Sequence, residues 1–403
     1  MRFLRYAIAL AIVCAMLMGI SALAEAVPVD AAHFPDDNFR AYVAEELDAD
    51  GDGALSQAEI DGVTSIDCSG REIEDLAGVE IFRNVEDLKC GQNRLRALDV
   101  SGLQELTDLV CFDNKLRSLD LSGNPKLSYL MLDENRIQAL DLSGNPALET
   151  VYCATNDLES LVLGSQPNLR QLACMENRLE TLDLSGCTAL AELDVDHNQL
   201  TEIDLGVLPV LESLSCGDNP MESIDLSARP GLKRLYIMES AVTSLDLSGN
   251  SALEELVCDH FQGTALDVSH NPALKVLWCQ YAPITSLDVS ACPELRELNC
   301  TSTGIATLDV SHNPKLEKLN CWYCNDLDEV VLGENDWLEE FGSFGSPVPE
   351  IDISGCPELQ DIARKYDPPE IDYEQVCFGE HLQIDVHSNL VCDGETIFEG
   401  TKD

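Results

Sequence analysis

Apolar residues recur along this chain with a fixed period. The 21-residue unit is clearest in residues 106–126, LTDLVCFDNKLRSLDLSGNPK, which read L-x-x-L-x-C-x-x-N-x-L-x-x-L-D-L-S-x-N-P. One apolar slot recurs at this spacing without a slip, at Cys90, Cys111, Leu132, Cys153, Cys174, Val195, Cys216, Ile237, Cys258, Cys279, Cys300 and Cys321. A fixed period of this length predicts a solenoid in which each coil packs on its neighbours.

Each unit is predicted to hold one short strand, for example over residues 108–112. Alternation points Leu109 and Cys111 inward and their neighbours outward. The L-x-x-L-x-(L/C)-x-x-N core is the leucine-rich-repeat signature. Twelve such strands at about 4.8 Å spacing predict a parallel sheet roughly 55 Å long.

An asparagine stands three positions after the apolar slot in the first seven units. Its side-chain amide is predicted to bond the backbone of its own coil and of the neighbouring coil. These residues are Asn93, Asn114, Asn135, Asn156, Asn177, Asn198 and Asn219. The next five units carry Ser240, Phe261, Ala282, Thr303 and Cys324 instead. Looser turns are expected there.

The repeat resembles that of the bacterial internalin-like leucine-rich-repeat proteins, in the branch where a cysteine replaces a core leucine. The residues that carry the resemblance are the L-x-x-L-x-C-x-x-N units from Leu88 to Cys321 and the lead-in VTSIDCSGREIEDLAGVEIF, residues 63–82. The resemblance implies a mostly β solenoid of α+β type with a curved parallel sheet. For function it implies only a binding protein, because such folds carry many different binding activities.

The rest of the chain is divided around this solenoid. Residues 1–24 are predicted to be a signal peptide, since two arginines precede an apolar run and residues 22–24, Ala-Leu-Ala, form a small-x-small cleavage site. Residues 25–62 are predicted to form a helical N-terminal cap, residues 63–341 the solenoid, and residues 342–403 a small β C-terminal cap.

The N-terminal cap is predicted to begin with a helix over residues 33–47. Pro35 suits its first turn, and Phe39, Val43 and Leu47 share one face at four-residue spacing. A solenoid needs such a cap over its first open edge.

The repeat changes after Cys321, where its register slips by one position. Residues 322–350 are predicted to form an irregular last coil, and residues 351–354 repeat the L-D-L-S pattern. Residues 373–396 are predicted to form a hairpin. Its alternating apolar residues are Leu382, Ile384 and Val386.

The segment DADGDGALSQAE, residues 48–59, matches the EF-hand calcium loop at every diagnostic position. Calcium needs several hard oxygen ligands in a flexible geometry, and this loop supplies them. The predicted metal ligands are the carboxylates of Asp48, Asp50 and Asp52, the carbonyl of Ala54, a water held by Ser56, and bidentate Glu59. The alternative is a vestigial loop kept as a helix cap.

The loop lacks a second EF-hand beside it, and Gly62 ends its exit helix almost at once. We therefore interpret it as a structural pin rather than a sensor. In this interpretation Ca²⁺ locks the cap onto the first strand, residues 65–68. An extracellular site of this kind needs an affinity of only about 10⁻⁴ to 10⁻³ M.

The chain is strongly acidic, with 24 Lys and Arg against 73 Asp and Glu and a formal net charge of −49. Nucleic acid and anionic membranes are therefore not expected partners. No second apolar run long enough to cross a membrane follows the signal peptide, so no membrane insertion is expected after cleavage. The sequence predicts a monomer that is secreted or loosely attached to the cell surface. Simple solubility also accounts for the charge.

Nine of the 17 cysteines occupy the inward slot. Disulfides are common in exported proteins, but ladder neighbours with parallel side chains lie about 5 Å apart, whereas a disulfide needs Cβ atoms near about 3.8 Å. The ladder is therefore predicted to be a row of buried thiols that pack as small apolar residues. Cys377 and Cys392 are the pair expected to bridge.

An aspartate recurs in the L-D-L segment of the repeat. The row comprises Asp99, Asp120, Asp141, Asp183, Asp204, Asp225, Asp246, Asp267, Asp288 and Asp309. Neighbours about 5 Å apart repel by roughly 0.8 kcal/mol even in water. Hydrogen bonds from turn amides or from the following serine are the favoured compensation, and weak counter-ion binding is the alternative.

The outward positions of the strands predict a concave recognition face. Apolar and aromatic residues form two patches there, separated by the acidic residues Glu192, Asp194 and Asp196. The predicted ligand-contacting residues are Phe112, Tyr129, Met131, Tyr152, Tyr236, Trp278 and Trp322. Exposed aromatics suit protein hot spots and sugar stacking. Cross-strand packing of surface side chains accounts for them equally well.

Motifs of catalysis are missing from the sequence: there is no H-E-x-x-H, P-loop, G-x-S-x-G or glycine-rich dinucleotide motif. The sequence therefore predicts a non-enzymatic binding protein with a calcium-loaded cap, which recognises a protein or a glycan on its concave face. The alternative is a self-associating structural surface component without a specific ligand.

Overall fold

The computed structural model describes residues 26–401 except residues 228, 367–368 and 373–374. The predicted signal peptide lies outside the described residues. The helices are α1 Asp37–Tyr42, α2 Gln57–Gly62 and α3 Pro357–Lys365, with a π-helical turn at Val43–Leu47 and 3₁₀ turns at Val79–Ile81 and Leu205–Val207.

Short strands make up most of the ordered backbone. In chain order they are β1 Val27–Pro28, β2 Ala54–Leu55, β3 Ser65–Asp67, β4 Asp87–Lys89, β5 Asp108–Val110, β6 Tyr129–Met131, β7 Ala139–Asp141, β8 Thr150–Tyr152, β9 Ser160–Val162, β10 Gln171–Ala173, β11 Glu192–Asp194, β12 Ser213–Ser215, β13 Arg234–Tyr236, β14 Glu255–Val257, β15 Val276–Trp278, β16 Glu297–Asn299, β17 Thr307–Asp309, β18 Lys318–Asn320, β19 Glu329–Val331, β20 Glu340–Gly342, β21 Glu350–Asp352, β22 Glu370–Asp372, β23 Gln375–Phe378, β24 Leu382–Asp385, β25 Asn389–Cys392 and β26 Glu395–Phe398.

The main sheet follows the repeat. Its strands pair in parallel in the order β3, β4, β5, β6, β8, β10, β11, β12, β13, β14, β15, β16, β18 and β20. From β4 to β18 each residue pairs with its equivalent in the next 21-residue unit, as Asp87 does with Asp108, which confirms the predicted solenoid. The sequence separation between paired residues is one residue greater between β3 and β4, where Ser65 pairs with Asp87, and between β18 and β20, where Lys318 pairs with Glu340. The predicted slip after Cys321 is therefore confirmed, and the irregular last coil still adds β20 to this sheet.

The core lies between the main sheet and the back of the coils. Leu109 and Cys111 are fully buried, as alternation predicts. The asparagine row also behaves as predicted. The Asn114 amide donates to the carbonyl oxygens of Cys90 at 3.0 Å and Cys111 at 3.1 Å, and its Oδ1 accepts from the Leu95 N–H at 2.9 Å. One side chain thus joins its own coil to the preceding one.

Coils without this asparagine keep the same turn. The residue before the asparagine position is left-handed throughout the solenoid, with φ of +52° at His197 and +59° at His260. The expected loosening is therefore not seen. Phe261 fills the position as a buried ring, and the Thr303 hydroxyl donates to the Cys300 carbonyl at 2.8 Å. Ser240 differs from Thr303, because its buried hydroxyl has no hydrogen-bond partner among the described residues.

The N-terminal helix is shorter than predicted. Helix α1 begins at Asp37, because the Asp36 carboxylate accepts hydrogen bonds from the N–H groups of Asn38 and Phe39 and caps it. Pro35 therefore precedes the helix, and the end of the predicted helix forms the π-helical turn. The predicted apolar face is confirmed for Phe39 and Val43, which are fully buried.

The cap is bonded directly to the first coil. The Asp67 N–H of β3 donates to the Tyr42 hydroxyl at 3.1 Å, and the Glu74 N–H donates to Asp36 Oδ2 at 2.8 Å. The rings of Phe34 and Phe82 stack at 6.5 Å. These contacts seal the open edge of the sheet with both apolar surface and hydrogen bonds.

The C-terminal region covers the other edge. Strand β24 pairs in parallel with β20 and antiparallel with β23, which pairs antiparallel with β22. The predicted alternation is confirmed, since Leu382, Ile384 and Val386 are buried. Helix α3 was not predicted. Its sequence signals are Pro357 at the first turn and apolar residues at helical spacing.

The ladder cysteines are buried free thiols, as predicted. Burial raises the pKa of Cys111 to about 12, so this thiol stays protonated. The Cys321 S–H donates to the Gly342 carbonyl of the next coil at 3.2 Å. The bridge predicted between Cys377 and Cys392 is wrong, because Cys392 is a free thiol and the two residues lie on β23 and β25, in different sheets.

The L-D-L aspartates are stabilised by local hydrogen bonds. In nine coils the carboxylate accepts from the N–H of the serine two positions on, at 2.9–3.0 Å, and in the tenth Asp204 accepts from the Gly206 N–H at 2.8 Å. These bonds lower the pKa of the serine-bonded aspartates such as Asp120. The favoured explanation of the aspartate row is confirmed.

Candidate functional site

The predicted calcium loop brings three carboxylates together. Ligand oxygens of Asp48, Asp50 and Asp52 all lie within 4.8 Å of one another. Loop amides hold them in place: Asp48 accepts from the N–H groups of Gly51 and Gly53, each at 2.9 Å, and Asp52 accepts from the Ala54 N–H at 2.9 Å. Each carboxylate retains free lone pairs, because a carboxylate oxygen accepts more than one bond.

Glu59 lies at the edge of this cluster. Its Oε1 accepts from the Ala49 N–H at 2.9 Å, and its Oε2 accepts from the Ser56 N–H at 2.7 Å. The Ser56 hydroxyl accepts in turn from the Glu59 N–H, which completes a capping box at the start of α2. Glu59 thus closes the loop through backbone amides, and its predicted role as a bidentate calcium ligand stays a prediction.

The predicted calcium loop is paired with the first strand of the described residues. Strand β2, at loop positions 7 and 8, pairs antiparallel with β1, so that Leu55 faces Val27 and Ala54 faces Pro28. The Val29 N–H also donates to the Gly53 carbonyl at 2.9 Å. Strand β1 therefore braces the predicted calcium loop.

The donor set fits a hard divalent cation. All three converging groups are carboxylates, and no cationic side chain of the described residues lies within 4.0 Å of them. Asp48 is 7% exposed, and a nearly buried carboxylate without a cationic neighbour is costly. A bound cation would remove that cost.

The concave face contains a groove of about 350 Å³. Five residues in register on neighbouring strands form its floor and ends: Tyr152, Ala173, Asp194, Ser215 and Tyr236. The two tyrosines are four strand spacings apart, about 19 Å. Small residues between two rings leave the hollow, and Asp194 lies at its centre.

The groove walls are held by side-chain hydrogen bonds across coils. The Gln171 amide donates to Glu192 at 2.7 Å, and Arg234 contacts the other Glu192 oxygen at 3.2 Å. The Tyr236 hydroxyl donates to Glu255 at 2.5 Å. Tyr152 packs edge-on against Tyr129 at 6.0 Å between centroids. The ring positions are therefore set before any ligand arrives.

The floor of the groove is electrostatically strained. Burial raises the pKa of Asp194 to about 6, although its Oδ1 accepts from the Asp196 N–H at 3.1 Å, which lowers the pKa in part. The Asp196 carboxylate is satisfied, since it accepts from the Ser215 hydroxyl and the Gly217 N–H at 2.5 Å each. In contrast, no cation among the described residues lies within 4.0 Å of Asp194, and the nearby His197 is paired with Asp218. The groove therefore favours a positively charged group.

Comparison with solved structures shows which proteins share this architecture. The functional domain of InlJ from Listeria monocytogenes, which includes a cysteine ladder, matches with a TM-score of 0.70 and 30% identity over 83% of this chain and 70% of that one. The chain belongs to the internalin-like leucine-rich-repeat proteins. The resemblance carried by the cysteine-slot repeat is thereby confirmed.

Two further structures share the fold of this internalin-like protein at 20% identity. An internalin (inlF) of Listeria monocytogenes has a TM-score of 0.65 over 77% of this chain and 98% of that one. A leucine-rich-repeat protein of Leptospira interrogans has a TM-score of 0.62 over 78% of this chain and 96% of that one.

Sequence similarity to a complete protein is more limited. Internalin J of Listeria monocytogenes is 34% identical over 68 residues, which is 17% of this chain and 7% of that protein. The chain thus matches a small part of Internalin J. No family model matches it. Within the described part of this internalin-like protein, no helix has the length and apolar character needed to cross a membrane.

The predicted ligand residues of this internalin-like protein fall into two groups. Tyr152 and Tyr236 line the groove, and Tyr129 with Met131 supports one end of it. Phe112 and Trp322 are half-buried against the next strand, where their rings cover glycines; the Phe112 ring lies over Gly91 and that of Trp322 over Gly342. Trp278 is 38% exposed and lies outside the groove.

Several groove residues were not proposed as ligand contacts from the sequence. Gln171, Ser215 and Arg234 line or support it, and Asp194 was predicted only to separate two patches. The available signal was the run of small outward residues between two tyrosines at equivalent positions of the repeat. That signal requires knowing that the sheet is regular enough for the row to stay in register.

The pH dependence of stability offers a check on the Asp194 environment. Its carboxyl titrates near 3.8 when unperturbed and at about 6 in the fold, so the folded state binds the proton more tightly. Stability should therefore rise as the pH falls from about 7 through 6. Asp194→Asn should stabilise the fold by roughly 1 kcal/mol at about pH 7.5, after allowance for partial exposure, and by about half as much at about pH 5, because the penalty is lost only as the pH falls from the folded to the unfolded pKa.

The control for this measurement is Asp99→Asn, for which the expected change in melting temperature at neutral pH has the opposite sign. Hydrogen bonds from the Ser101 hydroxyl and N–H lower the pKa of Asp99. Its stabilisation is present at neutral pH and is lost as the pH falls through the folded pKa. Asp99→Asn should therefore lower the melting temperature at neutral pH. Equal effects of Asp194→Asn at both pH values would contradict the assignment of Asp194.

Proposed function

We propose that this internalin-like protein is an extracellular recognition protein whose groove between Tyr152 and Tyr236 binds a segment of a partner protein that presents a lysine or arginine. The observation that carries the proposal is the half-buried Asp194 on the floor between two tyrosines, which has no cationic partner among the described residues. An ion pair with the carboxylate and cation–π contact with a ring both favour such a side chain.

The groove also has the size and composition of a recognition site. Its volume lies within the range of about 300–1,000 Å³ typical of ligand sites. Tyrosines are enriched among the residues that dominate binding energy, because they bury a large rigid area at low entropic cost. The network around Glu192 fixes the walls, so little side-chain ordering remains to be done on binding.

An array of short peptides probed with the labelled mature protein tests this proposal. Peptides with a lysine or arginine flanked by apolar residues should be enriched. Tyr152→Ala with Tyr236→Ala should weaken binding of an enriched peptide at least tenfold, because both rings are lost. Asp194→Asn should remove the preference for basic over neutral peptides.

The matched control for the groove variant is Tyr281→Ala. Tyr281 is 52% exposed and stacks on His260 at 4.7 Å, outside the groove. It should leave peptide binding within twofold of the wild type. Selection of neutral glycans on a parallel glycan array, with no peptide enriched, would replace the protein partner by a sugar. Self-association that survives the groove variant, without any ligand, would favour the structural-component alternative.

We also infer that the loop from Asp48 to Glu59 binds Ca²⁺ and that the ion stabilises the cap. Asp48, Asp50 and Asp52 supply carboxylate oxygens, Ala54 a carbonyl oxygen, Ser56 a site for a bridging water, and Glu59 closes the loop. The support is the convergence of three carboxylates in a loop braced by β1. The role is structural, because the loop has no second hand to couple to.

Thermal unfolding tests the calcium site. Ca²⁺ at about 1 mM should stabilise the mature protein by about 0.4–1.4 kcal/mol relative to chelator, as expected for an affinity of about 10⁻³ to 10⁻⁴ M. Asp50→Asn with Asp52→Asn should abolish this shift, and Glu59→Gln should reduce it. Asp61→Asn, an acidic residue of α2 two positions past the loop, should leave the shift unchanged. Equal melting with Ca²⁺ and chelator in the wild type would reduce the loop to a metal-free cap.

In this proposal the protein acts by binding and not by catalysis. We place it outside the cell, because the predicted signal peptide, residues 1–24, precedes a domain of the internalin-like type. A monomer satisfies the structure, since both ends of the main sheet are covered within one chain.

A further inference from the structure

Many cations of this acidic solenoid are paired with acids, but one group of four adjacent cations is not. Elsewhere, a cation on one coil usually pairs with an acid at the equivalent position of a neighbouring coil. Examples are Lys126 with Glu105 at 2.5 Å, Lys233 with Glu212 at 2.9 Å, and Lys275 with Glu254 at 2.6 Å. Such pairs compensate charge along the stacking direction.

Arg96, Lys115, Arg117 and Arg136 depart from this pattern and lie together. They converge on one hollow of about 580 Å³ on the flank of three successive coils. None of the four has a carboxylate within 4.0 Å among the described residues. All four are exposed.

The backbone places these side chains in adjacent rows. The N–H of Lys115 donates to the Leu95 carbonyl, and that of Arg136 to the Leu116 carbonyl, each at 2.8 Å. Leu95 and Leu116 are buried, so the residues on either side of each leucine face outward. Lys115 and Arg136 therefore share one row, Arg96 and Arg117 the next, and neighbours in a row are about 5 Å apart.

The cluster is bounded by paired charges. Arg94 ends it on one side through its pair with Glu72 at 2.8 Å, and Asp157 ends it on the other through its pair with Arg178 at 2.5 Å. Within these limits cation lies beside cation. Neighbouring like charges about 5 Å apart repel each other even in water. An anionic ligand would reverse the sign of this energy.

We infer that the hollow between Arg96 and Arg136 binds an oligosaccharide that carries two or more carboxylate or sulfate groups. Three of the four cations are arginines, whose planar fork matches oxyanions in two-point contacts. The rows repeat once per coil, which suits the extended repeat of acidic sugar units better than the closer phosphates of a polyphosphate chain.

The net charge of −49 limits the length of this ligand. Screening confines each field to about 8 Å at physiological salt, so a short ligand within three coils is attracted by the cluster. A long nucleic acid would extend over the surrounding acidic surface and be repelled. The site is distinct from the concave groove and does not depend on the function proposed for it.

Binding of two acidic sugars and of tripolyphosphate tests the inference. A labelled heparin-derived hexasaccharide supplies sulfates and trigalacturonic acid supplies carboxylates; tripolyphosphate is the third arm. At about 0.15 M salt, at least one sugar should bind the wild type. Arg117→Gln with Arg136→Gln should weaken its binding at least tenfold without lowering the melting temperature, because the substitutions remove a repulsive contact.

The control is Lys233→Gln with Lys275→Gln, which removes the same charge from paired positions and should change binding less than twofold. The groove variant Tyr152→Ala with Tyr236→Ala should also bind the sugar normally, which separates the two sites. The inference is overturned if neither sugar binds at millimolar concentration, if both charge variants weaken binding equally, or if tripolyphosphate binds more tightly than either sugar.

Discussion

Asn219→Ala is expected to destabilise the solenoid by about 3–5 kcal/mol, since it removes several buried hydrogen bonds at once. The Asn219 Oδ1 accepts from the Leu200 N–H at 3.0 Å, and its amide donates to the carbonyl oxygens of Val195 and Gly217, at 2.9 Å each. Alanine leaves these buried backbone groups without partners, and each unsatisfied group costs about 1–3 kcal/mol. Denaturant unfolding followed by circular dichroism measures the loss.

The next coil supplies the control. Ser240 occupies the same position of the repeat, but its buried hydroxyl has no hydrogen-bond partner among the described residues. Ser240→Ala should therefore be neutral or slightly stabilising, because it removes an unsatisfied polar group from the core. If both alanine variants lost similar stability, side-chain volume rather than the asparagine hydrogen bonds would hold the turn.

Gly78→Ala is expected to cost about 3 kcal/mol and to loosen the N-terminal cap, through backbone strain and a steric conflict together. Gly78 has a φ of +102°, and an added Cβ would lie 2.6 Å from Phe34 Cδ1 and in conflict with the His33 carbonyl oxygen. Left-handed strain accounts for about 1–2 kcal/mol, and the backbone conflict adds to it. Hydrogen exchange should show faster opening of residues 26–62, while the central coils keep their protection.

Gly70→Ala separates strain from the clash. Gly70 has a φ of +68°, but an added Cβ meets nothing within 4 Å. It should cost only about 1 kcal/mol and leave exchange in the cap unchanged. Equal losses for the two variants would mean that the cap does not depend on its close approach to Gly78. The calcium-dependent shift should also shrink in Gly78→Ala, because a displaced cap transmits less of the binding energy to the solenoid.

These predictions concern different parts of one design. The asparagine row joins each of its seven coils to the preceding coil, and the cap closes the first edge of the sheet. The groove and the basic cluster lie on surfaces that this framework holds in register. Tyr152 and Tyr236 can act together only because four intervening strand pairings do not slip.

Much of the fold was predictable because the determinants are local and repeated. The regular spacing of the cysteine slot defines the coil, and alternation around Leu109 defines which side chains face inward. Asn114 has a side chain suited to bonding turn backbone, and the loop from Asp48 to Glu59 carries its ligand pattern within one short segment. Repetition strengthens the prediction of the coil, because the same pattern of apolar residues occurs in every unit.

Features that occur only once in the chain were harder to predict. Helix α3 occurs once, and its signal at Pro357 stood in a region without a repeat. The bridge between Cys377 and Cys392 was wrong because sequence distance does not tell which sheet a strand joins. The predicted helix over residues 33–47 started too early because Asp36 bonds both the helix amides and the first coil, which only the docked cap makes possible.

The sequence by itself determined the coil, the inward cysteine row and the acidic loop of residues 48–59, because each rests on residues close together in the chain or repeated at one period. Only the tertiary structure decided that Val27 pairs with Leu55 and that Asp194 lies between two tyrosines. It also decided that Lys115 lies beside Arg136 with no acid among the described residues within ion-pair distance of either. These facts depend on distances between side chains on different coils. Stacking sets such distances, and a linear pattern does not contain them.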